Sequence, residues 1–125
     1  MVLPKRLLIV DDEETIRFSL SQAFITANED YEVSVASSAF EALEKMAELQ
    51  FDLVITDIMM PEMDGFQLIE EIRKQKPGTP VIVITAYGDE EKAERSKKLG
   101  VIEYIEKPFD IKKIRSVVFD ILQKN

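Results

Sequence analysis

The sequence predicts a single α/β domain of five strand–helix units, with a doubly wound parallel five-stranded sheet in the order 2-1-3-4-5. Short apolar runs alternate regularly with longer segments whose apolar residues recur at helical spacing. The runs are rich in Val, Ile and Leu, which is typical of strands buried on both faces. This alternation, with no repeat and no linker, favours helices on both sides of the sheet and right-handed crossovers.

The first unit is defined by a change in hydrophobic spacing. Leu7 to Val10 is an apolar run that stops at acidic residues, which predicts a buried strand. From about Glu14 to Ala27 the spacing becomes helical, and Asn28 to Asp30 is expected to end that helix. The residues expected to face inward are Ile16, Leu20, Ala23, Phe24 and Ala27.

The next two units follow the same rules. Glu32 to Ala36 alternates apolar and polar residues, as a half-exposed strand does. A capping-box pattern then opens a helix from Ser38 to about Glu48. Leu53 to Thr56 is predicted to be a buried strand. A helix capped by Asp64 then runs to about Gln75, and Pro77-Gly78 ends that helix. The residues expected to face inward in the first of these helices are Ala39, Ala42, Leu43, Met46 and Ala47.

The last two units differ in how much they can bury. Val81 to Ile84 is uniformly β-branched and predicts a central strand, and Val101 to Ile105 predicts the fifth. Between them, Asp89 to Leu99 is a mostly charged candidate helix. Only Ala93 and Leu99 are available for burial, so we expect this helix to be the least firmly packed. The final helix, capped by Asp110, is expected to bury Ile111, Ile114, Val118, Ile121 and Leu122.

Composition limits the chemistry. The chain has 125 residues, of which 46% are hydrophobic, which suits one domain core. It contains no cysteine or histidine, so thiolate nucleophiles, imidazole bases and the usual zinc sites are excluded. The net charge of -8 argues against nonspecific binding to DNA or to an anionic membrane. We recognise no signal peptide or transmembrane run, and expect a cytoplasmic location.

Polar side chains follow four of the predicted strands at their carboxyl ends. Asp11 and Asp12 follow the first strand, Asp57 the third, Thr85 the fourth and Lys107 the fifth. In the order 2-1-3-4-5 the first and third strands are neighbours, so the acids meet at the point where the connections diverge. Carboxylates at roughly 4 Å repel by on the order of 4 kcal/mol per pair at an effective dielectric of about 20, so the cluster needs a cation.

Mg²⁺ matches the oxygen ligands of this cluster and usually works with phosphate. An aspartate nucleophile, a hydroxyl, a lysine and a metal together favour phosphoryl transfer with an aspartyl phosphate product. The alternative for Asp12 and Glu13 is a simple helix cap. Asp64 and Asp89 are interpreted as caps, and Gly65 as a residue that the backbone requires.

At this point the motifs resemble a known family, the receiver domains of two-component response regulators, and in particular the chemotaxis-regulator type. The matching segments are Val10-Asp11-Asp12-Glu13, Asp57 to Gly65, Thr85-Ala86 and Glu106-Lys107-Pro108-Phe109. The resemblance extends from Leu7 to Leu122 and implies the flavodoxin-like fold. It also implies that residues 1–125 form one receiver domain, with no output domain in this chain.

The resemblance implies a role for each matching residue. Asp57 accepts a phosphoryl group from a sensor histidine kinase or a histidine phosphotransfer protein. Asp12 and Asp57, with the main-chain carbonyl of Met59, bind Mg²⁺, and Asp11 supports the ion through water. Lys107 pairs with the phosphoryl group. The domain is then no classical enzyme, since it catalyses only its own phosphorylation and dephosphorylation.

The resemblance also implies a switch. Thr85 moves toward the phosphoryl group and Tyr104 changes rotamer with it, which alters the surface around the fourth helix, fifth strand and fifth helix. The segment from Asp89 to Leu99 is the natural element to move. The Lys107-Pro108 peptide bond is expected to be cis.

Apolar residues on the outer face of the first helix suggest a partner surface. Phe18 and Ile25 fall opposite its buried face, and the family docks its kinase on this helix near Ile16 and Arg17. We expect Ile16, Phe18 and Ile25 to contact the phosphodonor. Phe119 is a weaker candidate for an output contact or for a homodimer formed on phosphorylation. No nucleic acid or membrane contact is expected.

Two positions depart from the commonest family pattern. Met59 lies two residues beyond Asp57, and Tyr87 lies two residues beyond Thr85. In the family these positions flank the water that hydrolyses the aspartyl phosphate. Neither side chain offers an amide or carboxylate to orient that water, so we expect a long-lived phosphorylated state.

Three other functions remain open on the sequence. A phosphatase of the haloacid dehalogenase type wants a second Asp where Met59 stands. A flavin or nucleotide module wants a phosphate-binding loop, whereas Asp11 to Glu14 repels phosphate unless a metal intervenes. A pseudo-receiver binds partners without phosphorylation, against which the intact acids, Thr85 and Lys107 argue.

Overall fold

The computed structural model describes residues 3–27 and 29–123. The strands are β1 (Lys5–Val10), β2 (Tyr31–Ala36), β3 (Leu53–Thr56), β4 (Val81–Thr85) and β5 (Glu103–Glu106). The helices are α1 (Glu14–Ile25), α2 (Ala39–Glu48), α3 (Gly65–Gln75), α4 (Glu90–Lys98) and α5 (Ile111–Gln123). All strand pairs are parallel, and the order is β2-β1-β3-β4-β5. The predicted fold class and strand order are confirmed.

The first unit is longer at its strand and shorter at its helix than predicted. β1 and β2 both begin early because Lys5 pairs with Tyr31 in the parallel register. α1 ends at Ile25 rather than near Ala27, and the N–H of Thr26 closes its last turn on the carbonyl of Gln22. Asn28, part of the predicted helix breaker, lies outside the described residues.

β5 begins two residues later than the predicted Val101. The N–H of Val101 donates to the carbonyl of Ser96 at 3.0 Å and so closes the end of α4. The N–H of Ile102 then donates to the carbonyl of Val81 at 2.9 Å, which starts the pairing with β4. The hydrogen bond that ends α4 therefore keeps Val101 out of the strand.

Two apolar cores lie on opposite faces of the sheet, since alternate residues of a strand point to opposite sides. One face of β1, β3 and β4 packs against α2 and α3, through Leu8, Val10, Val54, Val81 and Val83. The other face packs against α1 and α5, through Leu7, Ile9, Leu53, Ile55, Ile82 and Ile84. Both cores extend to the strand ends, which holds the carboxyl edge of the sheet rigid.

One inward-facing prediction was wrong, and the one for α4 was confirmed only in part, since Leu99 packs at the edge of the core. Ala47 is exposed, because the fully buried stripe of α2 is a single row at Ala39, Ala42 and Met46. In α4 the buried residue is Ser96, while Ala93 and the following Leu99 are only half buried.

The helix caps follow the predicted positions but not always the predicted partners. Asp64 and Gln67 form a complete capping box, with each side chain accepting from the other's N–H at 2.9 Å. Ser38 caps α2, yet the Glu41 carboxylate accepts from the N–H of Ser37 instead of returning to Ser38. Asp89 caps α4 by accepting from the N–H of Lys92 at 2.8 Å.

No helix within residues 3–27 and 29–123 has the length and apolar content needed to cross a bilayer.

Candidate functional site

The site lies at the carboxyl edge of the sheet, where four strands end together. Val10 pairs with Thr56, so the residues that follow them, Asp11 and Asp57, emerge side by side. The N–H of Asp57 donates to the carbonyl of Val10 at 3.0 Å. On the other side, the N–H of Lys107 donates to the carbonyl of Thr85 at 2.8 Å. The parallel register thus brings residues from distant parts of the chain to one place.

Three carboxylates meet at this edge. Asp11 is 2% exposed and Asp57 is 5% exposed, whereas Asp12 is exposed. One oxygen from each of Asp11, Asp12 and Asp57 lies within 4.8 Å of the others. Two buried acids and one open acid form a cluster that water and ions can enter from the Asp12 side.

Lys107 bridges the two buried acids. Its Nζ lies 2.9 Å from Oδ2 of Asp57 and 3.0 Å from Oδ2 of Asp11. Burial works to lower the pKa of Lys107, but the bonds to Asp57 and Asp11 outweigh it and raise that pKa. The ammonium therefore stays charged and offsets part of the repulsion between the acids. The peptide bond that follows, Lys107-Pro108, is cis as expected.

Glu13 is a fourth acid that sequence reasoning did not assign to the site. Its Oε1 lies 3.5 Å from Nζ of Lys107, and its N–H donates to Oδ1 of Asp11 at 2.9 Å. Glu13 precedes α1 at the N-cap position but makes no side-chain capping bond, so the helix-cap interpretation is wrong for it. The acidic run Asp11 to Glu14 marked Glu13 as a possible site residue, but only the fold shows that its carboxylate lies close to Lys107.

Opposing effects act on Asp11. Burial raises the pKa of Asp11, and this exceeds the lowering by the N–H of Glu13 and the ammonium of Lys107. Both oxygens of its carboxylate are engaged, Oδ1 by that N–H and Oδ2 by Nζ. The carboxylate of Asp11 is therefore held in one position at the side of the site.

Asp57 is held on both of its oxygens. Oδ1 accepts from the N–H of Ile58 at 2.6 Å and of Met59 at 3.2 Å, while Oδ2 faces Lys107. Gly65, the first residue of α3, packs directly behind it: a Cβ there would lie 2.1 Å from the carbonyl oxygen of Asp57. The close approach of α3 thus requires glycine, in agreement with the sequence interpretation.

Thr85 ends β4 next to Lys107, and Tyr104 lies on β5, paired with Val83. Thr85 is fully buried, and its Oγ1 accepts from the N–H of Tyr87 at 3.3 Å. The hydroxyl of Tyr104 is buried without a hydrogen-bond partner among the described residues, and burial raises its pKa. A Cβ at Gly88 would lie 2.6 Å from that hydroxyl, so the ring occupies space that only glycine leaves open.

The remaining predicted residues lie on the surface around the site or on α1. Met59 is 49% exposed and Tyr87 is 68% exposed. On α1, Phe18 is 65% exposed and Ile25 is 59% exposed. Ile16 is half buried against the core beneath α1, so the structure separates it from the other two.

The described surface also carries cavities away from the site. Two surface cavities, of about 460 and 450 Å³, lie at the opposite edge of the sheet, beside Arg6 and Arg73 respectively. Neither cavity includes a residue of the acidic cluster.

The donor set fits a hard divalent cation. Carboxylate oxygens are the ligands that Mg²⁺ prefers, and it usually keeps several waters. The exposed carboxylate of Asp12 beside Asp57 provides such oxygens with access to water.

The fold and the site define a class of small doubly wound α/β domains with an acidic, lysine-bridged site at the carboxyl edge of the sheet. The family model of the response regulator receiver domain matches residues 7–119. This chain therefore belongs to the response regulator receiver domain family.

Individual relatives support the same family assignment. Regulatory protein AtoC of Escherichia coli K12 is 40% identical over 98% of this chain and 26% of its own length. Sporulation initiation phosphotransferase F of Bacillus subtilis is 34% identical over 94% of this chain and 93% of its own length. A receiver domain structure from Methanospirillum hungatei superposes with a TM-score of 0.92 at 34% identity, over 98% of this chain and 96% of that one. The chain thus spans about a quarter of AtoC and nearly all of the sporulation protein.

Proposed function

We propose that this domain is a phosphorylation-activated signalling switch, in which Asp57 accepts a phosphoryl group from a histidine kinase or a histidine phosphotransfer protein. The observation that carries the proposal is Lys107, whose ammonium lies within 3.0 Å of both buried acids. Because Lys107 is already bound to Asp57 and Asp11, its ammonium can pair with a phosphoryl group that is transferred to Asp57. The resemblance in fold and family supports the same reaction.

The transfer conserves atoms and charge. An oxygen of Asp57 attacks the phosphorus, the bond between phosphorus and the donor imidazole nitrogen breaks, and its electron pair stays on that nitrogen. Lys107 balances the negative charge that moves onto Asp57. The protein is thus a phosphoacceptor that catalyses only its own phosphorylation and dephosphorylation.

Mg²⁺ is the cofactor that the donor set suits. Asp12 and Asp57 with the main-chain carbonyl of Met59 would hold it, and Asp11 would act through water. When bound, it supplies positive charge that offsets the repulsion between the carboxylates and the phosphoryl oxygens. Asp11, which is already held by Lys107, would keep its position both with and without bound Mg²⁺.

The output is a change of surface at α4, β5 and α5. In this proposal Thr85 turns its hydroxyl toward a phosphoryl group on Asp57, and Tyr104, whose buried hydroxyl has no partner among the described residues, responds next. α4 buries only Ser96, so it is the helix that moves at the least cost in free energy.

The same site sets the lifetime of the phosphorylated form. Met59 and Tyr87, two residues beyond Asp57 and Thr85, are exposed and carry no amide or carboxylate to orient a hydrolytic water. We expect slow dephosphorylation. The double variant Met59→Asn with Tyr87→Glu should lose the phosphoryl group faster after removal of the donor, and an unchanged lifetime would refute this assignment.

The partner surface is the outer face of α1, in the cytoplasm. Phe18 and Ile25 offer exposed apolar area to the donor's helices, with Ile16 nearer the site. Phe119 is available for an output contact or a homodimer. Glutamate at Phe18 or Ile25 should slow phosphotransfer from a histidine kinase but leave phosphorylation by acetyl phosphate unchanged; equal loss with both donors would count against a docking role.

The central test uses acetyl phosphate, Mg²⁺ and intact mass measurement. The wild-type protein should gain one phosphoryl group, Asp57→Asn should gain none, and Asp120→Asn, an exposed acid on α5, should behave as wild type. A wild-type protein that never gains the group would instead indicate a pseudo-receiver that binds partners without phosphorylation.

A further inference from the structure

Arg17 contacts the site without belonging to the acidic cluster. Its side chain lies on the second turn of α1, and Nη1 donates to the main-chain carbonyl of Asp11 at 2.8 Å. The same residue's N–H donates to the carbonyl of Glu13 at 3.1 Å. Arg17 therefore ties the loop that carries the acids to the helix that follows it.

In the part of the chain that the structure describes, the bond from Arg17 is the one hydrogen bond found to the main-chain carbonyl of Asp11. The carbonyl of Asp11 and the N–H of Asp12 belong to one planar group, so fixing the carbonyl fixes the direction in which Asp12 leaves the strand. Within residues 3–27 and 29–123, no hydrogen bond or ion pair to the Asp12 side chain is found. The position of the Asp12 carboxylate therefore depends on its backbone.

Asp11 needs no such help. Its N–H donates to the carbonyl of Ala36 at 3.1 Å, and its carboxylate is engaged by Glu13 and Lys107. With the residue already secured at its N–H and its side chain, the additional bond from Arg17 sets the orientation of the following peptide.

We propose that Arg17 is a positioning residue for Mg²⁺: by holding the Asp11–Asp12 peptide, it keeps the Asp12 carboxylate beside Asp57. The proposal rests on the proposed function, in which Asp12 and Asp57 hold the ion. It adds a residue from α1 to the apparatus that prepares the site.

The sign of the effect separates this role from simple electrostatics. Arg17 carries a positive charge near a cation site, so charge alone opposes metal binding, and its removal should tighten that binding. Positioning acts in the opposite direction, since residues that orient metal ligands typically contribute 10- to 100-fold in affinity. Loss of Arg17 can weaken Mg²⁺ binding only if positioning outweighs charge.

The experiment is a calorimetric titration of Mg²⁺ into the full chain at fixed ionic strength. We expect Arg17→Met to weaken binding by about tenfold. The matched control is Lys112→Met, which removes an exposed charge from the first turn of α5 and should leave affinity unchanged or slightly tighter. Equal or tighter binding by Arg17→Met overturns the proposal. A wild-type protein that binds no Mg²⁺ overturns the metal assignment of the proposed function as well.

A second readout needs no metal. In ¹H–¹⁵N spectra of the metal-free protein, Arg17→Met should shift the amide signals of Asp12 and Glu13, with those of β1 unchanged. Arg17→Lys retains a donor of shorter reach and should fall between wild type and Arg17→Met in affinity. If Arg17→Met melts far below wild type, Arg17→Lys decides the question instead. Wild-type Mg²⁺ affinity in Arg17→Lys, together with unshifted Asp12 and Glu13 amides in that variant, refutes positioning.

Discussion

α3 and α4 lie on the same face of the sheet and have nearly equal length, yet they are held by different forces. α3 buries Gly65, Phe66, Leu68, Ile69 and Ile72 and begins with a complete capping box. α4 buries only Ser96, and its cap Asp89 accepts from the main-chain N–H and the side-chain ammonium of Lys92 without forming a capping box. Apolar burial supplies most of a helix's stability in a protein, so α3 is a fixed support and α4 is not.

The contacts that hold α4 are polar and gather at two points. The guanidinium of Arg95 lies 4.3 Å above the ring of Phe66, and it also pairs with Glu70 at 3.6 Å. At the carboxyl end, Arg73 donates to the carbonyls of Leu99 and Gly100. Both Arg residues connect α4 to α3, so the loose helix is attached to the firm one.

The region beneath α4 is also incompletely satisfied. Ser96 Oγ and the hydroxyl of Tyr104 are the buried side-chain polar atoms that lack a hydrogen-bond partner in the described part of the chain. A buried group without a partner costs on the order of 1–3 kcal/mol. The comparison teaches that Asp57 lies against the firmly packed α3, whereas the partnerless buried hydroxyls lie beneath the weakly packed α4.

The largest expected difference between the two helices is in core truncation. Ile69 is fully buried, so Ile69→Ala should lower the free energy of unfolding by about 2–5 kcal/mol. Leu99 is half buried at the end of α4, and Leu99→Ala should cost roughly half as much or less. Urea denaturation of both variants measures the difference, and equal costs would contradict it.

Gly65→Ala should disturb the close contact between α3 and Asp57. The added Cβ would meet the carbonyl of Asp57, so we expect a loss of about 1–3 kcal/mol and slower phosphorylation by acetyl phosphate. Gly78→Ala is the control, because nothing lies within 4 Å of a Cβ at that position. A Gly65→Ala protein with normal phosphorylation kinetics would show that α3 can withdraw without disturbing Asp57.

Arg73→Met should loosen α4 selectively. The guanidinium donates to four carbonyls, those of Pro77, Thr79, Leu99 and Gly100, and such bonds contribute about 0.5–1.5 kcal/mol each at most. Hydrogen exchange should become faster in α4 and in the loop after it, with α3 unchanged. Uniformly faster exchange would show that Arg73 supports the whole domain instead.

Ser96→Ala has the smallest expected effect and the opposite sign. It removes a partnerless buried hydroxyl and raises helix propensity, so it should stabilise the protein by about 0.5–1 kcal/mol. Thermal denaturation measures the change. Destabilisation would mean that the hydroxyl has an unrecognised partner in solution.

Much of the fold could be predicted because its determinants are local. The bounds of α3 and β3 agree with prediction, since helical and strand spacing and the stop at Pro77-Gly78 are written in adjacent residues. The meeting of Asp11, Asp57 and Lys107 followed as well, because a parallel sheet collects its carboxyl ends at one edge. Exposure of Phe18 and Ile25 was likewise set by helical periodicity.

What only the tertiary structure decided is which polar groups meet across the chain. The bond from Arg17 to the carbonyl of Asp11, the four carbonyls gathered by Arg73 and the contact between Glu13 and Lys107 leave no periodic signal. A long charged side chain can reach several partners, and the choice among them depends on loops whose paths the sequence pattern does not encode. The sequence by itself therefore determined the frame of the sheet, the acidic cluster at its edge and the weak packing of α4, and the packed fold determined how the acids are held and which arginines attach α4 to α3.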